Sequence, residues 1–315
     1  MKIIVTGVAA LATAMMLSGA SYAQDKPTLA FVVNIAADFW KAAEAGMKKA
    51  QGEIPNYTLE LKYPDQSNAA TQDALMDNLV TAGVKGIMVS YIDANSPGFL
   101  DKIAGETALF TTDSDVPASK RIAYVGSSNV QLGTLASQIA KDAMPKGGKC
   151  MGFVGTPDAS NYKDRAQGFT DGIKGTQITL VDTRADGGDQ TAAQKNVEDV
   201  LAGNPDITCM VGFYSYNTPA IYNALKSAGK LGSITVVGFD DDPVTLAGVK
   251  DGSIAGTVVQ QPFQWAYQGF HLMADYLDGK KPAIPANGQI IIPGQILHTA
   301  DIDAYSANLK TMQGK

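Results

Sequence analysis

The sequence has few residues that bind metals or act as nucleophiles. Among its 315 residues there are two cysteines and two histidines. Cys150, Cys209, His271 and His298 are scattered without the spacing of metal ligands. Neither the Gly-x-Gly-x-x-Gly motif of dinucleotide-binding proteins nor the Gly-x-x-x-x-Gly-Lys-Ser/Thr phosphate loop occurs. We therefore expect no metal site, no cofactor and no enzymatic activity.

Positive charge is scarce as well. The chain has 25 Lys and Arg against 31 Asp and Glu, a formal net charge of -6. Nucleic acids and anionic membrane surfaces repel such a protein, so neither is an expected partner.

Long apolar runs are confined to the N-terminus. Lys2 precedes an apolar stretch over residues 3–17, and small residues lead up to Ala23. This pattern resembles a secretory signal peptide over residues 1–23, cleaved after Ala23. No cysteine follows the apolar stretch, so no lipid attachment is expected there. The mature protein is expected in the periplasm.

The rest of the chain alternates short apolar runs with longer segments of helical period. Such runs, for example residues 29–33 and 86–90, are typical of parallel strands covered on both faces. After residue 126 the series starts again, which predicts two similar α/β units. Pro262 interrupts the last long run and cannot continue a central strand. The chain is therefore expected to cross between the two units more than once.

Cys150 and Cys209 each begin one of these predicted strands. If the two strands are neighbours in one parallel sheet, the thiols lie about 5 Å apart, within reach of a disulfide. The periplasm is oxidising, which favours the bond. Two buried free thiols are the alternative.

Asp240 follows the apolar run over residues 234–239. Ligands of open α/β sheets bind at the carboxyl ends of the strands, so this carboxylate is a candidate ligand group. Capping of the following Asp-Asp-Pro turn is the alternative.

A series of short motifs, in this order, resembles the ribose-binding type of periplasmic sugar-binding protein. The motifs are Asp38-Phe-Trp40, Thr112-Asp-Ser-Asp115, Asp164-Arg-Ala-Gln-Gly-Phe169, Val237-Gly-Phe-Asp240 and Thr257-Val-Val-Gln260, within a match over residues 27–293. The resemblance implies an α/β fold of two Rossmann-like domains with parallel sheets, joined by three crossovers. The implied domains are residues 24–126 plus 261–288 and residues 127–260 plus 289–315.

The resemblance also implies which residues bind the ligand. Phe39 and Trp40 match an aromatic pair that sandwiches a sugar ring, and aromatic planes suit its apolar C–H faces. The polar positions that match a ring of hydroxyl-binding groups are Asp113, Arg165, Asp240 and Gln260. Tyr214, Asn217 and Asn34, each close to the end of a predicted strand, are further candidates.

Two departures from the ribose pattern point away from ribose itself. Ser114 follows Asp113 where the family has an arginine, and Gly187-Gly188 replaces an expected aromatic residue. Ser114 is therefore a candidate specificity residue, because changing the partner of a buried hydroxyl alters affinity strongly.

The resemblance implies capture of a neutral monosaccharide or polyol by hinge closure. The partner is an inner-membrane ABC permease, and the protein is expected to be a monomer. The same fold with a nucleoside or signalling molecule as ligand remains an alternative, as does a sugar-modifying enzyme. A repressor with this ligand fold needs a helix-turn-helix where the signal peptide stands.

Overall fold

The protein is an α/β structure built on two six-stranded sheets. The computed structural model describes residues 26–312, and the predicted signal peptide lies outside them. In chain order the strands are β1 (Thr28–Val32), β2 (Thr58–Lys62), β3 (Gly86–Val89), β4 (Ala108–Thr111), β5 (Ala123–Gly126), β6 (Gly148–Val154), β7 (Ile178–Ala185), β8 (Cys209–Gly212), β9 (Thr235–Phe239), β10 (Gly256–Val259), β11 (Gln289–Ile291) and β12 (Gln295–Leu297).

The two sheets share one topology. The first has the order β11-β5-β4-β3-β1-β2 and the second the order β12-β10-β9-β8-β6-β7. Every pairing is parallel except that β12 runs antiparallel to β10. The restart in the sequence is therefore a structural repeat, and the predicted fold of two parallel α/β units is confirmed.

Helices cover the sheets. They are α1 (Trp40–Glu53), α2 (Ala69–Thr81), α3 (Pro97–Glu106), α4 (Asn129–Ala143), α5 (Ser160–Gly172), α6 (Gln190–Gly203), α7 (Asn217–Ser227), α8 (Pro243–Asp251), α9 (Pro262–Leu277) and α10 (Ile302–Met312). Helices α1, α2, α3 and α9 pack on the first sheet or on one another, and the others belong to the second. We call these two assemblies the first lobe and the second lobe. Among the described residues, no helix combines the length and apolarity needed to span a bilayer.

Local sequence signals explain where several helices begin. The Asn68 side chain accepts a hydrogen bond from Thr71 N at 3.0 Å and starts α2, as the Ser-Asn-Ala-Ala pattern predicts. Asp189 caps α6 and Asp242 caps α8 in the same way. Pro243, at the first helical position of α8, is suited to that place because it needs no hydrogen-bond acceptor.

The unbroken apolar strands form the cores of the lobes. Leu29, Phe31 and Val32 of β1 and Val237 and Phe239 of β9 are fully buried. Burial on both faces explains why these strands lack alternation in the sequence. The carboxyl ends of β1, β3 and β4 in the first lobe face those of β6, β8 and β9 in the second, and loops there form the cleft.

The chain passes between the lobes three times. The first two passages follow β5 and β10, at residues 127–128 and 260–261. The domain bounds implied by the resemblance place the third passage at residues 288–289, but β11 pairs with β5 in the first sheet. The passage therefore lies at residues 292–294, because only β12 joins the second sheet. Residues 289–291 belong to the first lobe rather than to the second, to which the sequence assigned them.

Cys150 and Cys209 form a disulfide in the second lobe. The two residues are directly paired in β6 and β8, and their Cα atoms are 4.2 Å apart. Both are fully buried. The prediction that neighbouring parallel strands bring these thiols into bonding range is confirmed.

We expect the disulfide to stabilise the protein by about 2 to 4 kcal/mol, because it closes a long loop in the unfolded chain. Urea unfolding with and without dithiothreitol measures this as a lower midpoint under reduction. The double variant Cys150→Ala/Cys209→Ala is the control, and dithiothreitol should leave its midpoint unchanged. A native midpoint that does not respond to reduction would contradict the prediction.

Candidate functional site

A cavity lies between the two lobes. The first lobe contributes side chains from the loops after β1 and β4, and the second from α5 and the loops after β8, β9 and β10. Its lining consists of Asn34, Ile35, Ala37, Phe39, Trp40, Asp113, Asn161, Arg165, Tyr214, Ser215, Tyr216, Asp240 and Gln260. Eight of the ten residues proposed from the sequence as ligand-binding residues line this one cavity.

Asp113 and Asp240 occupy equivalent places in the repeat. Each follows the fourth strand of its sheet in chain order, β4 or β9, and enters the cavity from the carboxyl edge. Their backbones are left-handed, with φ of 51° and 64°. Among the described residues no other non-glycine residue has a positive φ. Strain of this kind is concentrated at functional sites, where the surroundings hold it in place.

Asp113 is held by groups from both lobes. Its Oδ2 accepts hydrogen bonds from Ser90 Oγ at 2.7 Å, Asn161 Nδ2 at 2.8 Å and Asn34 Nδ2 at 3.5 Å. Its Oδ1 forms an ion pair with Arg165 Nη2 at 3.3 Å. These donors stabilise the ionised form, but burial is the larger effect and raises the pKa of Asp113 above its usual value.

Arg165 is a fully buried arginine, with a side chain 2% exposed. Besides Asp113 it donates to Asn129 Oδ1 at 2.9 Å, to the Phe213 carbonyl at 2.8 Å and to Gln260 Oε1 at 3.0 Å. Its guanidinium lies 5.0 Å from the centre of the Phe239 ring. Four of its five N–H groups are thus engaged, and one on Nη1 remains for a ligand.

Asp240 has an open carboxylate oxygen. Gln260 Nε2 donates to its Oδ1 at 2.8 Å, and no residue in the described part of the chain donates to its Oδ2. Burial raises the pKa of Asp240 to about 7, against the opposing effects of Arg165 and Gln260. Asp241 and Asp113 add a small further rise. The oxygen is therefore an unused acceptor at the cavity wall.

The aromatic pair does not form the sandwich that the sequence suggested. The rings of Phe39 and Trp40 meet edge to face, with centroids 4.8 Å apart. A sugar ring between two planes needs about 7 to 8 Å, two van der Waals separations. Trp40 packs into the first lobe against Phe31 and Trp265, while Phe39 is partly exposed. Both rings line the cavity from the same side.

Asn34 and Tyr214 line the cavity as proposed. Oδ1 of Asn34 is buried and receives no hydrogen bond from residues 26–312, so it is a second unused acceptor. The Tyr214 hydroxyl contacts Thr156 Oγ1 at 2.6 Å and Asn161 Oδ1 at 2.9 Å. Tyr214 thereby fixes the amide of Asn161 that donates to Asp113.

Ser114 and Asn217 lie outside the cavity lining. Ser114 Oγ is 3.0 Å from Ser160 Oγ, so it joins the first lobe to the start of α5. Asn217, the first residue of α7, donates to Asp186 Oδ2 at 2.8 Å and accepts from Tyr214 N at 3.2 Å. Both are fully buried. They lie behind the cavity wall, and their neighbours in sequence, Asp113 and Tyr216, line the cavity instead.

Sequence reasoning missed several residues of the site. Asn161 stands one helical turn before Arg165, and this i, i+4 spacing placed it on the same face of α5. Tyr216, which the sequence offered beside Tyr214 without ranking it among the ligand-binding residues, lines the cavity and donates to Asp186 Oδ1 at 2.6 Å. Asn129 and Ser90 reach the site only through the fold, and no local pattern distinguishes them.

The raised pKa of Asp240 makes the unfolding free energy depend on pH. The folded protein holds this proton up to about pH 7, whereas an unfolded aspartate loses it near pH 4. Its contribution to stability is therefore complete below about pH 4 and is lost as the pH rises through about 7.

Asp240→Asn should raise the unfolding free energy at pH 8 by up to about 4 kcal/mol, and the gain should vanish near pH 4. Asparagine also tolerates a positive φ. Urea unfolding across this range measures the difference. Asp206→Asn is the control with the opposite sign, because Lys149 lowers the pKa of Asp206. A pH-independent effect of Asp240→Asn would contradict the prediction.

Comparison with known proteins identifies relatives along most of the chain. The ribose import binding protein RbsB of Salmonella typhimurium is 25% identical over 284 residues, covering 89% of this chain and 94% of that protein. RbsB of Bacillus subtilis is 28% identical over 218 residues, 69% of this chain and 70% of that protein.

Solved structures show the same fold. An ABC transporter solute-binding protein of Burkholderia graminis, in complex with D-arabinose, is 24% identical with a TM-score of 0.81 and covers 89% of this chain and 97% of its own. One from Agrobacterium vitis, bound with alpha-D-tagatopyranose, is 22% identical with a TM-score of 0.82, covering 90% and 98%.

The profile of the periplasmic binding protein domain matches residues 29–281. This range contains β1 to β10 and nine helices, together with every residue that lines the cavity. The resemblance to the ribose-binding type is confirmed, and the chain belongs to the periplasmic binding protein family.

Proposed function

We propose that this protein captures a sugar or polyol in the cavity between its lobes and delivers it to an inner-membrane ABC importer. The main support is a series of hydrogen bonds that connects Asp113 through Arg165 and Gln260 to Asp240. This network spans both lobes and lies beside aromatic residues. The named relatives are import binding proteins for ribose, which supports this class of ligand. Binding without chemical turnover, action as a monomer and a periplasmic location after loss of residues 1–23 are parts of the same proposal.

The free hydrogen-bonding positions suit a hydroxyl-rich ligand. Asp240 Oδ2 and Asn34 Oδ1 can accept from hydroxyl groups, and the remaining N–H on Arg165 Nη1 can donate to one. Phe39 offers an apolar face to ring C–H groups. Since these groups come from both lobes, a ligand that contacts all of them favours the arrangement in which the lobes meet.

The loop after β7 meets the first lobe across the cleft. A Cβ atom added at Gly188 would lie 2.8 Å from Ile35 Cδ1 and 2.9 Å from Ser67 Oγ. The neighbouring Gly187 has an equally left-handed backbone, with φ of 65° against 86°, but a Cβ there meets nothing within 4 Å. Glycine at position 188 therefore allows the lobes to approach, and this accounts for the aromatic residue missing from the ribose pattern.

A thermal-shift screen of pentoses, hexoses, inositols and alditols tests the ligand class. A ligand at about 100 times its Kd adds about 2.7 kcal/mol, which should raise Tm by about 5 °C or more. Phe39→Ala should weaken binding of the best ligand about tenfold in calorimetry, because it removes the apolar face. Phe99→Ala, at a partly exposed phenylalanine of the same lobe away from the cavity, is the control. If no compound raises Tm, the proposal is wrong.

Gly188→Ala should weaken ligand binding about tenfold, because overpacking at the cleft opposes approach of the lobes. Gly187→Ala is a matched control with the same backbone strain and no contact across the cleft, and it should bind as the native protein does. Calorimetry gives both affinities, and thermal unfolding without ligand should show equal Tm losses. Equal affinities for the two variants would contradict a role of Gly188 in closure.

A further inference from the structure

The cavity has more negative than positive charge. Its ionisable lining residues are Asp113, Asp240 and Arg165, so one guanidinium faces two carboxylates. Directly behind the lining, Asp186 accepts from Tyr216, Asn217 and the Gly188 N–H, all of which are neutral donors. Among the described residues that line the cavity, Arg165 is the only cation. The closed site therefore has a formal deficit of positive charge.

The deficit is concentrated at Asp240. The Asp113 carboxylate receives four hydrogen bonds, one of them from Arg165, and its Oδ2 is saturated. Arg165 makes no hydrogen bond to Asp240. Gln260 bridges the two side chains, and the arginine charge lowers the pKa of Asp240 only by its electrostatic field. Gln260 is neutral, and Oδ2 of Asp240 has no donor among residues 26–312. The folded protein relieves this deficit by holding a proton on Asp240 up to about pH 7, and the ionised carboxylate has one oxygen without a donor at the cavity.

Neutral and cationic ligands meet this oxygen differently. A hydroxyl group supplies a hydrogen bond but leaves the buried negative charge uncompensated, which is costly unless the carboxylate takes up a proton. An ammonium group supplies both the hydrogen bond and the missing charge. The aromatic faces of Phe39, Trp40 and Tyr214 also line the cavity and attract cations.

We propose that the preferred ligand is an amino sugar or amino polyol whose ammonium group binds Asp240 Oδ2 while its hydroxyls contact the remaining polar groups. The inference rests on the proposed function and narrows the ligand from the neutral compound expected from sequence to a cationic one. The geometry assigns the choice to a single carboxylate, so one substitution can reverse it.

Calorimetry with matched ligands at about pH 7 tests the proposal. The pairs are glucose and glucosamine, galactose and galactosamine, mannose and mannosamine, and sorbitol and 1-amino-1-deoxysorbitol, each 2-amino hexose being joined by its uncharged N-acetyl derivative. In at least one pair the amine should bind about tenfold or more tightly than its neutral and acetylated counterparts.

Asp240→Asn keeps the shape of the side chain and removes its charge. It should weaken binding of the amine at least about tenfold more than binding of the neutral partner. Asp206→Asn is the control, because that carboxylate is exposed, pairs with Lys149 and does not line the cavity. It should leave the preference unchanged.

Three results would overturn the inference. If a neutral sugar binds as tightly as its amine or more tightly, the charge argument is wrong and the proposed function stands. If Asp240→Asn weakens binding of the neutral and the amine partner equally, Asp240 does not discriminate between ligands by their charge. If no compound of either kind binds, the proposed function fails together with the inference. The native comparison decides the first and third results even where a variant fails to fold.

Discussion

The structure depends on the buried ion pair between Asp113 of the first lobe and Arg165 of the second. Both side chains are at most 4% exposed, and the pair spans the cleft. Burying two charges is unfavourable unless their remaining hydrogen-bonding positions are filled. Ser90 and Asn161 fill them around Asp113, and Asn129, Gln260 and the Phe213 carbonyl fill them around Arg165. The lobes can meet in this arrangement because Arg165 and Asn161 of the second lobe donate to the Asp113 carboxylate of the first.

The internal repeat explains why two aspartates dominate the site. The loops after β4 and β9 occupy the same place in two sheets of the same topology, and each holds its aspartate in a left-handed conformation. The two then differ in surroundings. Asp113 is neutralised by an arginine from the opposite lobe, whereas Asp240 receives one neutral donor from β10's end in its own lobe. One duplicated position thus serves the contact between lobes and the other remains open to a ligand.

The sequence predicted the strands well and the hydrogen-bond partners of the site residues poorly. Unbroken apolar runs predicted buried parallel strands, and the in-register pairing of Cys150 with Cys209 followed from them. Five of the eight ligand candidates that line the cavity follow strand ends, which the sheet places at one edge: Asn34, Asp113, Tyr214, Asp240 and Gln260. The other three, Phe39, Trp40 and Arg165, lie on or beside helices and were predicted from the resemblance alone. Ser114 and Asn217 were predicted to line the cavity but lie behind its wall. A shift of one residue along a loop decides whether a side chain faces the cleft or the interior. Asn129 and Ser90 were missed because they act through contacts between distant segments.

Arg165 links the two roles of the site and limits what the ligand can do there. Four of its N–H groups serve the protein, so it offers a ligand one donor and a charge already shared with Asp113. Ser114 stands where the ribose-binding pattern has an arginine, and it is neutral and contacts Ser160. Among the described residues Arg165 is therefore the only cation at the lining. Recognition therefore falls to the acceptors that the protein leaves unfilled, Asp240 Oδ2 and Asn34 Oδ1. Because most hydrogen-bond donors of the site bind protein acceptors, the ligand is selected by the donors that it presents to these free acceptors.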